Sequence, residues 1–186
     1  MNRKDEALQE QKIATELDPR LRPGAMAFLL IRLHRFDDAI QDAHARIEGG
    51  SEQADLHYAL ANAYWLKGMD KESAEESPKV FALNGQEADV NAARHAFAAG
   101  AMKGLLEWRL MQAKKWSGEH YLSPYWLAMH YARLKRKDDT LRCLEQAYHD
   151  RAPWMIFLPD EPDFNFVHPE PRYQAIVRGM KLPASN

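Results

Sequence analysis

The sequence predicts an all-α protein arranged as a solenoid, a linear stack of helix pairs, and three observations predict it. Similar triplets return along the chain: Asp5-Glu6-Ala7, Asp37-Asp38-Ala39, Lys71-Glu72-Ser73, Lys103-Gly104-Leu105 and Asp138-Asp139-Thr140. Their last members lie 32, 34, 32 and 35 residues apart, a period that marks arrays of one supersecondary unit. Each full unit also repeats one internal order: a helix rich in Ala, Leu and aromatics, a short turn, then a second helix. Finally, 46% of the 186 residues are hydrophobic and 10% aromatic, enough apolar surface to fold rather than stay disordered.

The first element is RKDEALQEQKIATELDP, Arg3 to Pro19. Ala7, Leu8, Gln11, Ala14 and Leu17 fall at helical spacing, and Asp18-Pro19 stops the run. It has the form of a unit's second helix without its first, a half repeat over 3–19. Its apolar face is therefore expected to be exposed: either the chain is cut from a longer protein, or another molecule covers that face.

Complete units are expected at about 20–53, 54–85, 86–120 and 121–151. First helices are clearest in HYALANAYWLKG (57–68) and SPYWLAMHYARLK (123–135), and a second helix in KDDTLRCLEQAYHDR (137–151). Turns are expected at His34-Arg35, Gly68-Met69, Gly100-Ala101 and Lys135-Arg136. The small residues Ala59, Ala61, Ala63 and Ala128 allow close helix approach, while Tyr64, Leu66, Leu127 and Tyr131 fill the space between pairs. The unit over 86–120 departs most from the pattern, with Leu105 in the small-residue slot behind Gly104.

Beyond Arg151 the pattern changes, and residues 152–186 form a Pro-rich capping segment. Five of the ten prolines lie between 153 and 171, which forbids a continuous helix there. Trp154, Met155, Ile156, Phe157, Leu158, Phe164, Phe166 and Val167 are nonetheless apolar, so an ordered loop laid over the last helix pair is expected. A short helix should follow from Pro171 to Met180, with proline in its first turn. The run Pro159-Asp160-Glu161-Pro162-Asp163 reads as a turn with capping carboxylates.

Charge and motif content narrow the function. The formal net charge is -2 and the pI about 6.4, so neither a nucleic acid nor a membrane surface is expected as partner. The basic run Lys135-Arg136-Lys137 is followed at once by Asp138-Asp139 and reads as a solvated turn. A single cysteine, Cys143, permits no intrachain disulfide and suits a reducing compartment; beside Leu141, Leu144 and Ala147 it reads as a small buried residue. With no signal-peptide pattern and no bilayer-length apolar run, a cytoplasmic location is expected. The eight histidines show no i, i+4 pair, and no HExxH, GxSxG or GxGxxG element occurs. No catalytic constellation, metal or cofactor is expected.

Ala61 with Tyr64 and Gly68, Ala128 with Tyr131, Ala7 with Ala14 and Pro19, and Ala147 together resemble the tetratricopeptide repeat, over roughly residues 3–151. The resemblance implies a right-handed α-solenoid whose first helices line a concave groove for an extended peptide or partner helix. In register, the groove would carry Phe28, Ile31 and Arg32, then Tyr58, Asn62 and Trp65, then Asn91, Arg94 and Phe97, and finally Tyr125, Trp126, Met129 and Arg133. Aromatic anchors with amide and arginine donors suit peptide capture, although aromatics of these helices also serve packing between units. Asn62 and Asn91 match the two asparagines of repeats that clamp a chaperone's C-terminal carboxylate. The cationic slots of that clamp hold Tyr58, Leu122 and Trp126 instead, which argues against carboxylate binding.

Residues 121–182 resemble the C-terminal ends of tetratricopeptide regions in large bacterial signalling and transcriptional regulators, where a winged-helix or serine/threonine kinase domain often precedes the repeats. Neither domain is visible here. The resemblance implies a non-catalytic sensory or scaffolding module with a protein or peptide ligand. The alternative is a structural module that self-associates, for example as a homodimer, through the N-terminal helix.

Overall fold

The computed structural model describes residues 3–18 and 22–181, and no strand occurs among them. In chain order the helices are α1 (Arg3–Leu17), α2 (Ala25–Arg32), α3 (Phe36–Glu48), α4 (Ala54–Leu66), α5 (Asp70–Leu83), α6 (Glu87–Glu119), α7 (Pro124–Arg133), α8 (Lys137–His149) and α9 (Pro171–Met180). Two 3₁₀ segments, Pro153–Asp160 and Pro162–Val167, join α8 to α9. Pro19, read as the stop of the first helix, lies outside the described residues.

Six of these helices end in the same way. At the ends of α2, α3, α4, α5, α7 and α8 one residue takes a positive φ: His34 (58°), Gly50 (84°), Gly68 (73°), Gly85 (72°), Lys135 (55°) and Arg151 (53°). Its N–H donates to the carbonyl three residues back, and the next N–H donates to the carbonyl five back. Gly68 reaches Trp65 at 3.0 Å and Met69 reaches Tyr64 at 2.9 Å; Lys135 reaches Ala132 at 2.9 Å and Arg136 reaches Tyr131 at 3.0 Å. This double closure satisfies carbonyls that a helix end leaves without partners. α6 is broken by Gly100 (φ -141°, ψ 19°) and Ala101 (φ 50°, ψ -148°). The positive-φ residues at 34, 68, 101 and 135 are thus 34, 33 and 34 residues apart.

The chain divides into two compact units, the first running to Met102 and the second beginning at Lys103. The division falls inside residues 86–120, read from the sequence as one repeat, and not at 151/152. The reason for the latter is that the Pro-rich segment has no core of its own and packs on α7 and α8.

In the first unit, Ala27, Leu30 and Ile31 of α2 pack with Ala39 and Ala43 of α3 and with Leu56, Ala59, Leu60 and Ala63 of α4. Of the five residues aligned by the repeat, Ala39 and Ser73 here and Leu105 and Thr140 in the second unit are buried, whereas Ala7 is exposed. Ser73 Oγ donates to the Ala61 carbonyl at 2.8 Å, tying α5 to α4. α1 corrects the sequence reading. Leu8, Gln11 and Thr15 form its half-buried stripe, with Gln11 Nε2 donating to Thr15 Oγ1 at 3.3 Å, while Ala7, Ala14 and Leu17 are exposed. Leu8 is the apolar side chain of α1 that joins the α2–α4 core, and the packed face follows it.

In the second unit the ordered segment expected over the last helix pair takes the form of two 3₁₀ turns begun by prolines. Met155, Leu158, Phe164 and Val167 share one core with Tyr125 and Ala128 of α7, Leu141 and Leu144 of α8, and Tyr173 and Ile176 of α9. The Tyr125 and Phe164 rings meet edge-on at 5.5 Å, and Tyr173 Oη donates to the Leu158 carbonyl at 3.0 Å. On the surface, Arg172 grips Glu145 with two bonds of 2.7 Å, fixing α9 against α8.

Candidate functional site

In the first unit, one turn of α2 separates Phe28 from Arg32, and two turns of α4 carry Tyr58, Asn62 and Trp65. The rings of Phe28 and Tyr58 lie 5.8 Å apart, tilted by 51°, so α2 and α4 present these residues side by side. Local structure sets this geometry. The Gly24 N–H, at the start of α2, donates to Asp55 Oδ2 at 2.8 Å. A Cβ at Gly24 would lie 3.0 Å from the Asp55 carbonyl oxygen, tighter than ordinary packing allows. Phe28, Arg32, Tyr58 and Trp65 are half-buried, each leaving part of its side chain to solvent. Asn62, between them, is only 6% exposed, and Ile31 belongs to the core. Asn91 and Arg94 are exposed on the first half of α6, with Phe97 half-buried.

The residues assigned to the groove in the second unit require correction. Tyr125 is 1% exposed and lies in the core, because its position in the first turn of α7 meets Phe164 of the Pro-rich segment. Met129 is buried in the same core. Arg133 is 7% exposed, and its Nε donates to Asp163 Oδ2 at 2.8 Å. Its guanidinium serves that buried pair rather than a ligand. Trp126 remains half-buried, its ring edge-on to Trp154 at 5.1 Å. Asp163, read as a turn carboxylate, is correspondingly an interior residue.

Two polar features escaped the sequence reading. His57 Nδ1 lies 2.6 Å from Glu76 Oε2, both side chains buried between α4 and α5, and Lys79 Nζ donates to Glu76 Oε1 at 2.8 Å. A histidine and a glutamate 19 residues apart show no motif spacing. The signal available was His57 in phase with Leu60 and Ala61 on the inward side of α4. In the second unit, burial pushes His130 down to about 3, reinforced by the Arg109 and Arg133 guanidiniums. His130 is therefore uncharged at neutral pH.

No protein-family model matches this chain, and no curated protein or solved structure matches it significantly. Among the described residues, no group of three or more His, Cys, Asp or Glu side chains is placed to hold a metal ion. No described helix is long and apolar enough to cross a membrane. Burial pushes the Cys143 thiol up, away from the nucleophilic thiolate. The arrangement with chemical potential is the α2–α4 face: two touching aromatic rings, an indole and a guanidinium, able to pack on apolar side chains and donate to backbone carbonyls.

Proposed function

We propose that this chain is a tetratricopeptide-type, right-handed solenoid acting as a non-catalytic protein-interaction module. The observation that carries the reading is the Phe28–Tyr58 ring pair, 5.8 Å apart on α2 and α4, with half-buried Arg32 and Trp65 on the same helices. Helix turns recurring 34, 33 and 34 residues apart support the repeat assignment. The ligand is an extended peptide or a partner helix laid across α2 and α4, with aromatic side chains as anchors. Asn91 and Arg94 are the exposed polar residues available to lengthen that face within the first unit. A cytoplasmic place inside a larger bacterial regulatory protein fits the resemblance of residues 121–182.

Selection of a displayed random-peptide library on the immobilised protein tests this reading. Sequences enriched on the native chain should be lost with Tyr58→Ala/Trp65→Ala and kept with Trp116→Ala, an exposed aromatic elsewhere. Equal retention by the first variant, with its helical spectrum unchanged, would overturn the face assignment.

A second reading, self-association through α1, rests on a separate observation. Ile13 and Leu17, one turn apart on α1, are 40% and 81% exposed, away from the stripe that packs on α2.

A further inference from the structure

The second unit holds a surface cavity of about 480 Å³ where the ends of α8 and α9 meet the first 3₁₀ segment. Tyr148, Met155, Ile156 and Met180 supply its apolar lining, and His149 and Arg151 its basic rim. Gly179 is required there: a Cβ at that position would lie 2.4 Å from the Tyr148 hydroxyl, so the phenol lies directly against the backbone of α9. Ile156 is 59% exposed and Tyr148 40%, leaving apolar surface open to a partner. Two further basic residues adjoin the lining in sequence. Arg178 and Lys181 flank Gly179 and Met180 in sequence, and the nearby acid, Asp150, is engaged by Gln146 Nε2 at 2.8 Å and by His149.

Leu17 and Ile13 of α1 present the complementary chemistry. They form an aliphatic ridge, with the exposed carboxylates of Glu10 and Glu16 one turn before and one turn after Ile13. Over residues 3–18 five acidic side chains stand against three basic ones. We propose that α1 of one copy docks into this cavity on a second copy, with Leu17 and Ile13 against Tyr148, Ile156 and Met180, and Glu10 and Glu16 on the side of the basic rim at Arg151. The proposal rests on the self-association reading above and deepens it by naming both surfaces. Because the two surfaces differ, the contact is head-to-tail, and a docked pair keeps one free ridge on one copy and one free cavity on the other.

Sedimentation velocity of the full chain across a concentration series gives the test. Association should grow with concentration and weaken as salt rises, since rim charges are screened. Leu17→Lys disables the ridge and Ile156→Glu disables the cavity; both positions are exposed, so both variants should keep their helical spectrum. Each alone should weaken association by about tenfold or more. Mixed together, they should recover a complex that stops at two chains, since one intact ridge meets one intact cavity. Wild-type protein that stays monomeric at every concentration overturns the docking and the self-association reading together. Association unchanged by either variant, or not recovered on mixing, overturns the docking alone.

Discussion

Arg133 of α7 and Asp163 of the second 3₁₀ segment form a buried ion pair, Nε to Oδ2 at 2.8 Å, with side chains 5% and 3% exposed. The pair ties the Pro-rich segment to the helix on which it lies. Two charges taken out of water are held at a large desolvation cost, so removing one leaves the other stranded. Asp163→Ala should lower stability by about 3–5 kcal/mol, read as a fall in the urea midpoint of the second unit. Arg133→Met/Asp163→Leu, which removes both charges and keeps apolar volume, should lose far less. Equal losses for the single and double variants would show that packing, not charge, holds this contact.

The pair also marks the limit of what the sequence makes legible. Period and turn positions are local properties: residues a few positions apart decide them, and the turns at His34, Gly68, Ala101 and Lys135 stand where the sequence placed them. Burial of one face against another is not local. Tyr125 and Arg133 stand at positions expected of a groove, but Phe164 and Asp163, separated from them by α8 and a run of prolines, cover that side of α7. On α1 the expected face kept Leu8 and Gln11 but lost Ala7, Ala14 and Leu17 to solvent for a similar reason, because a short helical pattern with Ala at several positions fits more than one rotation. His57 and Glu76 pair across two helices, and neither residue alone announces the other.

That His57–Glu76 contact, 2.6 Å long and buried between α4 and α5, gives a parallel prediction in the first unit. Glu76→Ala leaves the imidazole and Lys79 without their acceptor and should lower stability by about 3 kcal/mol. His57→Phe/Glu76→Met should be milder. Thermal melts of the three proteins compare them directly, and a melting temperature unchanged by Glu76→Ala would reduce the pair to a bystander.

His130 makes the second unit acid-sensitive in a definite direction. Its folded value of about 3 lies below the ordinary histidine range near 6.5. Between those values the unfolded chain binds the proton and the folded one does not. Stability contributed by neutral His130 is therefore complete above about pH 6.5 and falls as pH drops toward 3, by about 1.4 kcal/mol per pH unit at most. Urea midpoints at pH 7, 5.5 and 4.5 should fall for the native chain and less steeply for His130→Gln, which cannot take up a proton. Parallel slopes for the two would place the acid sensitivity elsewhere.

The helix-end closures share one backbone shape, yet substitution there carries opposite signs at different positions. Gly68 and Gly85 occupy the left-handed region without steric cost, whereas His34, Lys135 and Arg151 occupy it with side chains that clash with the backbone there. Gly68→Ala and Gly85→Ala should each lower stability by about 1 kcal/mol, and Lys135→Gly should raise it by a similar amount. Ala101 is the more extreme case. Its φ of 50° and ψ of -148° lie near a region that glycine alone enters readily. Ala101→Gly should stabilise by about 1–3 kcal/mol, more than Lys135→Gly. The gain is offset in part by the larger entropy of glycine in the unfolded chain, so the ranking of the two variants is the sharper test than either magnitude. Urea unfolding of Ala101→Gly, Lys135→Gly and Gly68→Ala against the native chain gives that ranking. Destabilisation by Ala101→Gly would mean that the bend after Gly100 is not strained, and that its alanine methyl makes a contact worth more than the relief of φ.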